Sequence, residues 1–191
     1  MKPNALLVPT VEQSNNRAGR DIVGGNQINN QFGTPAPSAY LARLLEKYQQ
    51  EVESNAQTKE KLLELQRFGE AKENPLIPLE KKLADGGRSD LVEFALEEKE
   101  GFAKKLARFT HFPSAQMIHL HLLANIYSVF STRILPAIRE GQNRDAVECL
   151  IQHAIIEPTL SELRENPFNY SAVDVQGMLY YLTGNCYIKW A

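Results

Sequence analysis

Cysteine is nearly absent: the 191 residues contain only Cys149 and Cys186. Two such residues cannot make the disulfide framework of a small secreted domain, so reduced thiols in the cytoplasm are the expectation. An excess of charge of one sign is missing too. The net charge of −2 leaves no long-range field to draw in DNA or an anionic membrane surface. No apolar run is long enough for a signal peptide or a bilayer span. The longest near the start covers residues 5–9, and later runs such as 118–126 are broken by polar residues. There is no Gly-x-Ser-x-Gly elbow, no His-Glu-x-x-His and no Walker pattern, which removes the most recognisable hydrolase, metalloprotease and nucleotide-binding signatures. No internal repeat occurs, and after residue 37 no alternating apolar/polar run marks a strand. What remains, 43% hydrophobic and 23% charged residues, is the balance of a soluble globular chain with one sizeable core.

Composition changes near residue 37. Residues 1–37 are rich in Asn, Gln and Gly and carry too little apolar area to offset the entropy of ordering alone. One reading is a flexible tail. The other is a β-hairpin in which Ile22-Val23 and Ile28 flank Gly24-Gly25, a dipeptide that supplies positive φ for a tight turn. A lone hairpin is marginal in water, so copies from several subunits would have to cover each other's edges. This makes Ile22, Val23, Gly24, Gly25 and Ile28 an expected homo-oligomerisation element. A phosphate loop does not fit the Gly-Gly pair, since no Lys-Ser/Thr follows it.

Residues 38–191 read as all-α, an irregular bundle of about five to seven helices. Ser38 caps a first helix whose stripe is Leu41, Leu44, Leu45, Tyr48 and Val52. The stripe fades through residues 54–58 and resumes at Leu62, giving one long helix to about Lys72 or two with a break near Asn55. Pro75 and Pro78 close that section. A short helix over 79–84 ends at Gly86-Gly87, and Ser89 caps the next, with Phe94, Phe102 and Phe109. Pro113 and Ser114 open a helix free of Asp, Glu, Lys and Arg as far as Ser131, the expected centre of the bundle. Pro136 should bend its last turn and Gly141 end it. A helix over 143–156 is interrupted by Pro158, and Ser171 with Asp174 forms a capping box for the last helix, which runs to about Thr183.

Few residues are arranged for chemistry. His119 and His121 are two apart and point to different sides of a helix, and His111 stands apart from both. Cys149 and His153 share a face and would suit two zinc ligands or a thiol enzyme, but no signature supplies the remaining ligands. Cys186 follows a helix C-terminus, where the dipole disfavours a thiolate. Lys104, Lys105 and Arg108 make a small basic cluster that would suit a nucleic-acid sensor, yet Glu97, Glu98 and Glu100 lie one turn away and a solvated face is the simpler account. The segment with most to offer is the last, where Tyr180, Tyr181, Tyr187 and Trp190 crowd beyond what one helical stripe can bury. Either they present anchors to a protein partner, or the tail folds back and caps the bundle.

The closing string 177–190, Gly-Met-Leu-Tyr-Tyr-Leu-Thr-Gly-Asn-Cys-Tyr-Ile-Lys-Trp, resembles the end of C-terminal domains in bacterial ABC-three-component conflict systems. The runs Phe102-Ala103-Lys104-Lys105-Leu106 and Ile134-Leu135-Pro136-Ala137-Ile138-Arg139-Glu140-Gly141 resemble such domains as well, as does the Gly-containing stretch 18–25. The resemblance spans residues 38–191. It implies a non-enzymatic coupling module in anti-phage defence, with a middle component and an ABC-type ATPase as partners and with no cofactor. No effector domain precedes the helical body in these residues, which favours an adaptor or sensor over a toxin. Where the resemblance implies a histidine after Asn185-Cys186, this chain has Tyr187, so no imidazole titrates there.

Overall fold

A computed structural model describes residues 38–58, 60–72, 76–163 and 166–191. The hairpin expected at Ile22–Ile28, with Val23, Gly24 and Gly25, lies outside the described residues. Among those described there are seven helices and no strand. They are α1 (Ala39–Glu53), α2 (Leu63–Gly69), α3 (Leu79–Asp85) and α4 (Val92–Phe109), then α5 over 113–139, α6 over 144–162 and α7 (Ala172–Gly184).

Local chemistry sets several of the helix ends. Ser38 Oγ accepts from the Leu41 N–H at 3.1 Å, Asn143 Oδ1 accepts from Ala146 N–H at 2.8 Å, and Ser171 with Asp174 forms the reciprocal capping box. The first helical section is two helices: α1 stops at Ser54, where Asn55 takes φ of 52°. Ser89 is not a cap. It opens a 3₁₀ turn, Ser89–Leu91, and α4 begins at Val92 without a side-chain cap.

Neither Pro136 nor Pro158 interrupts its helix. Proline lacks an N–H and its ring collides with the carbonyl four residues earlier. Those carbonyls belong to Thr132 and Ala154, and each falls in a π turn, Phe130–Ile134 and Gln152–Ile156. The wider turn shifts the bonding to i→i−5, with Leu135 N–H donating to Phe130 O and Glu157 N–H to Gln152 O. Helices α5 and α6 therefore run through their prolines as an antiparallel pair joined at Gly141, whose φ is 75°.

Helix α5 carries much of the core, through Ile118, Leu122, Leu123, Ile126, Phe130 and Ile134. It packs on α1, α2, α4 and α7, and only a strip including Ala124, Asn125 and Ser128 is open to solvent. Its first turn is capped from another helix. The buried Glu51 carboxylate of α1 accepts from Ser114 N–H at 3.0 Å and Ser114 Oγ at 2.8 Å. Helices α4 and α7 pack closely along their length. A β-carbon on Gly177 would lie 2.6 Å from Glu98 O and 3.1 Å from Phe102 Cβ, so only glycine permits this approach.

Candidate partner-binding site

The capping box orients α7, and the Lys105 ammonium reaches across from α4 to the Asp174 carboxylate. At the far end the chain closes in a Schellman turn: Tyr187 N–H donates to Leu182 O at 2.9 Å and Cys186 N–H to Thr183 O at 3.1 Å. Glycine usually occupies the left-handed position of this turn, but here Cys186 does, at φ of 63°. Its side chain is buried, with Sγ 3.0 Å from Lys82 Nζ. Lys82 is buried as well, and its other donors reach Thr183 O at 2.6 Å and Gly184 O at 3.3 Å. A lysine from α3 thus caps α7, where the helix dipole favours positive charge.

The four C-terminal rings do not form one surface. Tyr180 is buried edge-on against Phe94, and burial pushes its hydroxyl pKa up to about 12. Tyr181 is half-buried edge-on against Phe102, with its pKa also raised by burial. Trp190 is 2% exposed. Its ring meets Phe130 edge-on, its Nε1–H donates to Thr183 Oγ1 at 3.2 Å, and the Arg88 guanidinium lies 4.6 Å from its centroid. Of the two readings of this segment, presented anchors do not hold for Tyr180 and Trp190: Tyr180 is buried from within α7 against α4, and Trp190 is buried where the tail folds back across α3 and α5. Tyr187 differs. It is half-buried, its hydroxyl donates to Arg67 O at 2.6 Å, and its ring stands edge-on to Tyr127 at 5.7 Å.

Beside Tyr187 the tail, the end of α5 and the loop after α2 enclose a pocket of about 220 Å³. Tyr127 and Tyr187 wall it, Ser131 and the edge of Cys186 line it, and Lys72, Arg139 and Lys189 bring positive charge. Lys72 Nζ donates to Tyr127 Oη at 3.3 Å and lies 5.5 Å from each tyrosine centroid. Tyr187 was marked by its place in the sequence. Lys72, Tyr127 and Arg139 were not, because no periodicity links positions on three separate segments.

The other expected groups stay apart. Cys149 and His153 are exposed and adjacent, with Sγ 3.4 Å from Nδ1, but Nδ1 is also 2.8 Å from Cys149 O and must carry its proton to bond there. Among the described residues no three His, Cys, Asp or Glu side chains gather as metal ligands. The Lys104, Lys105 and Arg108 cluster is partly engaged, since Lys104 pairs with Glu100 at 2.7 Å and Lys105 with Asp174. His121 bonds Asn125 and lies 3.5 Å from Glu162, while His111 is exposed. His119 is a core residue: Nδ1–H donates to Ala115 O and Nε2 accepts from Tyr170 Oη, both at 2.6 Å. Burial lowers its pKa to about 4, which keeps it neutral. No helix among the described residues is long and apolar enough to cross a membrane.

Comparison with known proteins gave no match among curated proteins or solved structures. A family model does match, over residues 78–190, more than half of the chain. That span starts at the residue before α3 and ends on Trp190, so it takes in both the Lys82 cap and the aromatic clasp that it closes. The chain belongs to the family described as C-terminal domain 9 of the ABC-three component (ABC-3C) systems.

Proposed function

We propose that this chain is a non-enzymatic adaptor of a bacterial defence system, docking on the other components, a middle component and an ABC-type ATPase, in the cytoplasm. Membership of the ABC-3C family over residues 78–190 carries the reading, because a domain of a multi-component system has component partners. The arrangement of side chains supports it. The deeply buried polar groups Glu51, Lys82, Gln116 and His119 all hold helices and loops together. The accessible pocket beside Tyr187 offers rings and cations, the side chains that anchor protein contacts.

Co-expression with the proteins encoded beside this chain, followed by affinity capture, tests the proposal. Stable co-purification of at least one component is expected, and failure to retain any of them would reject it. Assembly of copies through residues 1–37, on the Ile22, Val23, Gly24, Gly25 and Ile28 pattern, belongs to the same proposal. Removing residues 1–33 should then lower the mass seen by light scattering, and an unchanged mass would remove that element.

A further inference from the structure

The pocket beside Tyr187 has a charge pattern that composition does not account for. Acidic residues outnumber basic ones in the chain, 23 to 21, yet no described lining residue is a carboxylate. Lys72 and Arg139 are exposed, and neither forms an ion pair among the described residues. Each has a local reason for its place: Lys72 sits against two rings, and Arg139 ends α5, where the dipole favours a cation. Those roles leave most of their donors open to an incoming group. The walls are preset, since Tyr187 Oη is tied to Arg67 O, Asn185 Nδ2 to Phe68 O at 2.9 Å, and Lys72 N–H to Asn185 O at 3.1 Å. A rigid pocket loses little entropy when it is filled. Its 220 Å³ falls below the roughly 300–1,000 Å³ of small-molecule sites, so it suits one side chain better than a nucleotide.

We propose that this pocket receives an aspartate or glutamate side chain of a partner protein, held by Lys72 and Arg139 beside the packed pair of Tyr127 and Tyr187 rings. This rests on the adaptor reading and names the chemistry of the partner's anchor.

The test has two arms. In the first, amide resonances of the full chain are followed while a Gly-Ser-Glu-Glu-Ser-Gly peptide, its Gln-Gln counterpart or inorganic phosphate is added. The acidic peptide should shift Lys72, Arg139 and Tyr187 saturably, the neutral one should bind at least about tenfold more weakly, and salt should weaken the response. Equal shifts from both peptides, no shifts at all, or phosphate matching the acidic peptide as a free anion would each overturn the assignment. In the second, Lys72→Glu/Arg139→Glu is compared with wild type in the co-purification. Its fold is checked by melting temperature, and Lys72→Gln/Arg139→Gln replaces it if the fold is lost. Loss of capture by a folded variant is expected. Equal capture by both proteins rejects the pocket while docking stands, whereas no capture by wild type rejects the adaptor reading itself.

Discussion

Trp190 lies directly on Gly86. A β-carbon at Gly86 would be 2.5 Å from Trp190 Cβ and 2.8 Å from its carbonyl oxygen. Around this contact Arg88 bonds Gly86 O through Nη1 at 2.8 Å, pairs with Glu148 at 3.1 Å and covers the indole. The tail is thus fastened to the α3–α4 junction, a hundred residues earlier in the chain, and a ring that looked available to a partner is used inside.

Both sides of that contact should matter to stability. Gly86→Ala must push the tail backbone away and should cost about 1–3 kcal/mol. Trp190→Ala should cost about 3–5 kcal/mol. Because each change loosens the same tail, urea denaturation of the double variant should show less than the sum. Additivity within about 0.5 kcal/mol would mean the two sites act independently.

Gly177 and Gly101 make an opposite pair. Gly177→Ala drives a methyl into Glu98 O and should separate α4 from α7 at a cost of about 1–3 kcal/mol. Nothing lies within 4 Å of a β-carbon on Gly101, inside α4, so Gly101→Ala should stabilise by roughly 0.5–1 kcal/mol. Thermal denaturation of the two variants should give melting temperatures on opposite sides of wild type.

His119 links stability to pH. Its folded pKa is about 4, below the usual value of about 6.5, so between these values the unfolded chain binds a proton that the folded chain does not. Its contribution is whole above pH of about 6.5 and is lost as pH falls towards about 4, on the order of 3 kcal/mol in all. Urea midpoints should drop between about pH 6.5 and 5, ahead of most carboxylate titration, and His119→Gln should flatten that part of the curve.

Glu51 should behave as a cap supplied from another helix. Glu51→Ala leaves the buried Ser114 N–H and hydroxyl without an acceptor and should cost about 1–3 kcal/mol. Glu51→Gln keeps one acceptor oxygen and should cost less. Equal losses in chemical denaturation would mean that packing, not capping, is what Glu51 supplies.

Thiol chemistry should separate the two cysteines. Cys149 is exposed and Cys186 buried, so a disulfide reagent should titrate Cys149 quickly in the folded protein and Cys186 only on unfolding. Rapid modification of both would mean that the tail opens readily.

The Ser38 cap and the Ser171–Asp174 box were legible because a cap is settled within three residues of sequence. The central position of α5 was legible from its lack of charge. The π turns before Pro136 and Pro158 were not, since the same residues read locally as a bend and an interruption, and i→i−5 bonding has no signature in neighbouring residues. Lys82 gave no signal of burial, because its partners Thr183, Gly184 and Cys186 lie far along the chain.

Helix positions, most of their ends and the resemblance to the ABC-3C domains were determined by the amino-acid sequence itself, because spacing, caps and motifs act between near neighbours. Only the tertiary structure decided that Trp190 and Tyr180 face inward, that Tyr187 walls a pocket, and that Lys72 and Arg139 stand beside it. Those outcomes follow from contacts such as Trp190 on Gly86 and Asn185 on Phe68, whose geometry exists only once distant segments have packed.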